Sequence, residues 1–89
     1  MTDDRKMVEE TVRSTLVDML GLSAARVAEF DESTPLFGAI PELDSMAVAT
    51  LLTELEDRLG ITIDDDDVDI EAFESFGGLV AFAVRKVLG

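Results

Sequence analysis

The sequence predicts an all-α fold: a small bundle of three main helices plus one short helix, with a long ordered loop between the first and second helices. Three observations lead there. Apolar residues recur at helical spacing in three separate stretches, and a glycine closes each of the first two. Between those two lies a segment that is rich in apolar residues yet has no sustained period. With 89 residues and 47% hydrophobic content, the chain is expected to form a single domain over residues 1–89 around one core. Five Phe are its only aromatic residues, so Leu, Val, Ile, Met and Ala must build most of that core.

The first helix is expected over Asp3 to Leu20, because Val8, Val12, Leu16, Met19 and Leu20 form one apolar stripe. Thr2 suits its N-cap, Asp3 and Asp4 suit the positive end of its dipole, and Gly21 suits its end. Residues 22–43 are broken repeatedly by Ser23, Asp31, Ser33, Thr34, Pro35, Gly38 and Pro41. Leu22, Val27, Phe30, Leu36, Phe37, Ile40 and Leu43 are scattered through them, so this loop should pack on the core and contain short helical turns. The second helix runs from Asp44 or Ser45 to Leu59 and ends at Gly60. At about 100° per residue, Val48, Leu51, Leu52, Leu55 and Leu59 share its inner face. Met46, Thr50, Thr53 and Asp57 share the outer one, with Ala49 and Glu54 on the flanks. Ile61 to Ile63 read as an extended connector, and the acidic stretch from Asp64 to Ala72 as a brief helix. Ser75 should cap a last helix, Phe76 to Leu88, with Phe76, Leu79, Val80, Ala83 and Val87 inward and Arg85 and Lys86 in its final turn.

Composition excludes several functions. Twenty acidic residues against seven basic ones give a formal net charge of −13, which repels nucleic acid and anionic membranes. No Cys and no His means no disulfide, no thiolate or imidazole metal site and no Ser-His relay. The longest apolar run, Leu79 to Val84, is far short of the roughly 20 residues that span a bilayer. The acidic start, Met1-Thr2-Asp3-Asp4, is unlike a secretion signal, so a cytoplasmic protein, monomeric and without membrane insertion, is expected. The aspartate run fails as a calcium loop. Counting from Asp65, Asp67 and Asp69 fit, but Ile70 stands where the glycine belongs and Phe76 where the glutamate belongs. A solvated helix start accounts for it, with weak divalent binding as the remaining possibility.

Asp44-Ser45-Met46 is the candidate site. Taken alone, Asp before a helix is a cap and Ser in the first turn is ordinary. Here, however, the tripeptide ends a long apolar-rich loop and places Met46 on the outward face beside Ser45. With no His or Cys to take its proton, Ser45 cannot activate itself as a nucleophile. It can still be modified by an enzyme that supplies the base, and a phosphate ester there would sit at a helix N-terminus that favours anions.

Asp44-Ser45-Met46 after Pro41-Glu42-Leu43, with Pro35-Leu36-Phe37-Gly38 upstream and a Leu-rich acidic helix downstream, resembles the acyl and peptidyl carrier protein family over the whole chain. The resemblance implies that Ser45 bears 4′-phosphopantetheine, transferred from coenzyme A by a phosphopantetheinyl transferase using magnesium. It implies that Asp44 caps the helix and orients the site, and that Met46, Ala49 and Thr53 touch partner enzymes. Glu54 and Asp57 would add rim charges toward basic docking patches on those enzymes, among them loading ligases, acyl transferases and synthases. The protein would then carry acyl groups and would not itself be an enzyme. Glu42 stands where many members have Gly, Met46 replaces the commoner Leu, and Ala47 and Thr50 stand where fatty-acid carriers often place acids. The Pro41–Met46 string is similar to specialised freestanding carriers, including those of exosortase-associated polysaccharide gene clusters. An aminoacyl or peptidyl carrier of a nonribosomal pathway is the nearest alternative, and a cofactor-free acidic helical interaction module is the alternative of a different class.

Overall fold

A computed structural model describes all of the chain except residues 1, 65, 67–69 and 89. Among the described residues, four α-helices and a 3₁₀ turn follow one another: α1 (Thr2–Leu20), α2 (Ala24–Ala28), α3 (Ser45–Leu59), the turn Ile70–Phe73, and α4 (Phe76–Leu88). The all-α bundle is the predicted one. α1 begins at Thr2, so Thr2 is its first helical residue and not its cap. The short α2 is a helical turn inside the loop, capped by the Ser23 side chain, which accepts from the Arg26 amide at 3.1 Å. The brief acidic helix expected from Asp64 onward is present as the 3₁₀ turn Ile70–Phe73, while residues 65 and 67–69 lie outside the described part.

Burial follows the apolar stripes. Val8, Val12 and Leu16 of α1, Val48, Leu51, Leu52 and Leu55 of α3, and Phe76, Leu79, Val80 and Ala83 of α4 make one core. The loop contributes Leu22, Val27, Phe30, Leu36, Ile40 and Leu43 to that core, with Phe37 packed at its edge. Two inward residues broke the periodic pattern. Phe82 is buried against Phe73, their ring centroids 5.9 Å apart. Thr15 is fully buried, which its hydroxyl tolerates by donating to the Thr11 carbonyl at 2.6 Å.

An ion-pair cluster marks where two of the helices end. Arg58, in the last turn of α3, donates to Asp18 in the last turns of α1 at 2.8 Å and to Glu54 at 2.9 Å. α1 and α3 therefore end together. The chain must run back along the whole of α3, about 22 Å at 1.5 Å per residue, before α3 can begin. This puts Ser45 at the end of the bundle opposite the Arg58 cluster. Gly60 then closes α3 in the left-handed region at φ 65°, its amide donating to the Glu56 carbonyl.

The returning loop is hydrogen-bonded to the start of α4. Leu36 and Phe37 amides donate to the Glu74 and Phe73 carbonyls at 2.9 and 2.8 Å. Phe76 and Gly77 amides donate back to the Thr34 and Glu32 carbonyls at 2.8 and 3.1 Å. Gly78 donates to the Ser75 hydroxyl at 3.1 Å, so the loop and the predicted cap together satisfy the first amides of α4. Upstream, Asp31 folds its own turn: its carboxylate accepts from the Ser33 hydroxyl and amide and from the Thr34 hydroxyl, which holds its pKa below the usual carboxylate value. The approach of Glu32 is close enough to require glycine. A Cβ on Gly77 would lie 2.7 Å from the Glu32 carbonyl oxygen and 2.9 Å from its Cα. Gly77→Ala should thus destabilise the protein by about 1–3 kcal/mol through overpacking, in spite of alanine's better helix propensity. A melting curve no lower than wild type would show that the loop yields freely.

Candidate functional site

Leu43 and Val48 are both buried, and between them Asp44, Ser45 and Met46 are exposed while Ala47 is half-buried. Two core side chains thus fix the backbone on either side of the tripeptide and leave its side chains to solvent. Asp44 has the extended backbone of an N-cap, and its Oδ1 accepts from the Ala47 amide at 2.8 Å. Its carbonyl accepts from the Val48 amide at 2.9 Å, the first hydrogen bond of the helix. Ser45 is the first helical residue, and the amides of Ser45 and Met46 precede the first intrahelical acceptor. The positive end of α3 is therefore open to solvent, whereas that of α4 is closed by the loop. Asp44→Ala should cost about 1 kcal/mol and lower the melting temperature by roughly 4–8 °C. Asp44→Asn, which keeps the acceptor, should melt close to wild type; equal losses in both variants would mean that charge and not the cap matters.

The other serines are engaged locally. Ser14 donates to the Glu10 carbonyl, Ser23 and Ser75 accept helix-start amides, and Ser33 donates to Asp31. No such bond ties the Ser45 hydroxyl to another described residue. An exposed hydroxyl at an uncovered helix N-terminus has room for a phosphate ester and a field that favours its charge. The chain offers neither His nor Cys to activate it, so modification needs a second protein.

The expected partner face is exposed where the helical period put it: Met46 is 81% accessible, and Ala49, Thr53 and Asp57 are open to solvent. Glu54 differs from the others. It is half-buried, and its carboxylate is held by Arg58 at 2.9 Å, so it is part of the α1–α3 clasp. The i, i+4 spacing of Glu54 and Arg58 carried that signal in the sequence, although the reach to Asp18 did not. Hydrogen bonds to Asp18 first, and then to Glu54, raise the Arg58 pKa above its ordinary value. Among the described residues, no group of carboxylates could hold a metal ion, and no helix is long and apolar enough to cross a membrane. The stretch weighed as a calcium loop includes residues 65, 67 and 69, outside the described part.

Fold and site together define a carrier-type helical domain, a small bundle that presents one capped serine at an open helix start. Residues 10–83 match the family model described as the phosphopantetheine attachment site. Acyl carrier proteins from two strains of Nitratidesulfovibrio vulgaris, DP4 and Hildenborough, are each 37% identical to the chain over 60 residues, covering 67% of it and 74% of theirs. The solution structure of a holo acyl carrier protein from Nitrosomonas europaea superposes with a TM-score of 0.80 at 39% identity, covering 92% of this chain and 96% of that one. The chain belongs to the acyl carrier protein family. Its members are carriers and not enzymes, and their cofactor is covalent 4′-phosphopantetheine. They interact with a phosphopantetheinyl transferase and with synthesis enzymes.

Proposed function

We propose that Ser45 is the attachment point of the 4′-phosphopantetheine arm and that the protein shuttles acyl groups between the enzymes of a biosynthetic pathway. The observation that carries this is the Ser45 hydroxyl, exposed at the open positive end of α3 and bracketed by the buried Leu43 and Val48. When bound, the arm supplies the thiol that holds acyl groups as thioesters, which a chain without Cys cannot supply itself. Asp44 holds the first turn in shape, and the free first-turn amides favour the phosphate charge. Tethering the cargo raises its effective concentration at each enzyme visited. We place this in the cytoplasm, where coenzyme A can supply the arm, with residues 1–89 acting as one monomeric carrier domain.

Ala47 and Thr50 leave the start of α3 uncharged, which favours a specialised carrier over the general fatty-acid one, and is equally compatible with aminoacyl cargo. Incubation with coenzyme A, magnesium and a broad-specificity phosphopantetheinyl transferase should add one arm, read by intact mass. No gain in mass would overturn the carrier reading in favour of the cofactor-free module. Loading by an acyl or an aminoacyl ligase then separates the two carrier types. With net charge −13, association with basic partners should weaken as salt rises. Asp57 is exposed on α3, and Asp57→Lys should slow association with the transferase by about two- to threefold at low salt. Unchanged stopped-flow rates would remove Asp57 from the docking rim.

A further inference from the structure

Among the described residues, Met46 is the most open of the exposed large hydrophobic side chains, at 81% against 46% for Met7 and 59% for Leu88. Its thioether therefore meets whatever is dissolved around the protein. The other described methionines are better kept. Thr11 Oγ1 donates to the Met7 sulfur at 3.9 Å, which engages a lone pair that an oxidant would need. Met19 is half-buried in the last turn of α1. The Met46 sulfur has no hydrogen-bond partner among the described residues. The chain has no Cys, so no thiol of its own intercepts an oxidant first. Position decides what oxidation does here. Met46 is the second residue of α3, and the Asp44 side chain takes the Ala47 amide, so the Ser45 and Met46 amides are left without an acceptor in the helix. An oxygen on the Met46 sulfur stands as many bonds from Cα as the side-chain carbonyl oxygen of glutamine. Helix starts favour such acceptors, so the fold tolerates the sulfoxide at this position, whereas a core would be disrupted by it.

We propose that Met46 is an oxidation site, and that its sulfoxide slows attachment of the phosphopantetheine arm to Ser45. The proposal rests on the carrier reading above and adds a control to it. The oxidant is a hydroperoxide, in the simplest case hydrogen peroxide. A sulfur lone pair attacks one peroxide oxygen, and the O–O bond breaks as the S–O bond forms. The departing hydroxide takes up the proton of the transferred hydroxyl and leaves as water. The sulfur gives up an electron pair and the peroxide gains it. A methionine sulfoxide reductase reverses the change, returning the oxygen to water while a dithiol is oxidised to its disulfide. In the sulfoxide, a partly negative oxygen competes for the first-turn amides that otherwise favour the incoming phosphate, so transfer to Ser45 loses part of that help.

The test treats the apo protein with hydrogen peroxide until roughly half of it has gained one oxygen, then removes the peroxide with catalase. Only then are coenzyme A, magnesium and a broad-specificity phosphopantetheinyl transferase added. Intact mass follows both forms in one tube, competing for the same enzyme. Peptide mapping should find most of the oxygen on Met46, and the oxidised form should gain the arm about three- to tenfold more slowly than the unoxidised one. In Met46→Leu, peroxide treatment should leave the rate at that of the same variant untreated, whereas Met7→Leu should stay as sensitive as wild type. Met46→Gln, which carries an oxygen at the same place without peroxide, should gain the arm more slowly than Met46→Leu. A methionine sulfoxide reductase with dithiothreitol should restore the wild-type rate. Because the side chain is exposed, the oxidised protein should keep its circular dichroism and melt within about 3 °C of the unoxidised one. Oxygen found mainly on another methionine, equal rates for both forms, or a peroxide effect that persists in Met46→Leu would each overturn the proposal. So would an oxidised form that has lost its helical signal, since slow attachment would then report unfolding. Untreated wild type that gains no arm would instead fail the carrier reading, and the proposal with it.

Discussion

Ser45→Ala should gain no mass when incubated with coenzyme A, magnesium and a transferase that fully converts the wild type. The effect is all or none, because an ester cannot form without the hydroxyl and no other serine is presented in the same way. Ser14, Ser23, Ser33 and Ser75 have their hydroxyl groups in local hydrogen bonds, and Ser75, at the start of α4, spends its own on the Gly78 amide. Loss of the hydroxyl should leave the fold intact. Ser45 is exposed, and alanine is the better helix former, so stability should change by less than about 0.5 kcal/mol. A variant that keeps wild-type circular dichroism and melting but gains no arm separates the chemical role of the hydroxyl from a structural one. A mass gain in the alanine variant would move the attachment point to another serine.

How far the sequence reaches depends on whether a residue acts through its own neighbours or through distant ones. α3 was legible end to end, because Asp44, the Leu stripe and Gly60 are all local signals, and the exposed triplet at its start follows from them. The apolar content of residues 22–43 correctly told that the loop packs on the core. The path of that loop was not legible. Its return against α1 runs through Arg13, which donates to the Val27 and Phe30 carbonyls, and its docking on α4 through amides and carbonyls that carry no residue-type signature. Phe82 escaped for a similar reason: it lies off the α4 stripe and is covered by Phe73 from the turn before the helix. At the site, the position of Glu54 on the flank of the outer face was read correctly, but its capture by a cation bound to α1 was beyond a single-helix argument.

Phe76→Ala should be the most damaging single truncation at the loop–helix junction. Phe76 is 2% exposed, and two other segments of chain meet on its ring. Phe30 of the loop packs edge-on against it, with centroids 5.9 Å apart at 65°. Arg13 of α1 lies over it with the guanidinium carbon 4.5 Å from the centroid. That same guanidinium donates to the Phe30 carbonyl at 2.9 Å and to the Val27 carbonyl, so the ring supports the side chain that ties α2 and the loop to α1. Emptying such a site costs about 3–5 kcal/mol. At roughly 0.05–0.15 kcal/mol per residue, that is a large share of the stability of a domain this small. The melting temperature should fall by about 15 °C or more. Phe76→Leu fills most of the space but removes the ring, and should cost about 1–2 kcal/mol, of which the edge-on pair and the cation account for a good part. An Arg13→Met and Phe76→Leu double-mutant cycle should return a coupling of about 0.5–1 kcal/mol. The loop delivers Asp44 to the start of α3, so Phe76→Ala should also expose residues 22–43 to proteolysis and slow the modification of Ser45 below the melting transition. If Phe76→Ala melts within about 5 °C of wild type, or its loop resists protease as the wild type does, then the backbone hydrogen bonds of Leu36, Phe37, Phe76 and Gly77 hold the loop on α4 without the ring.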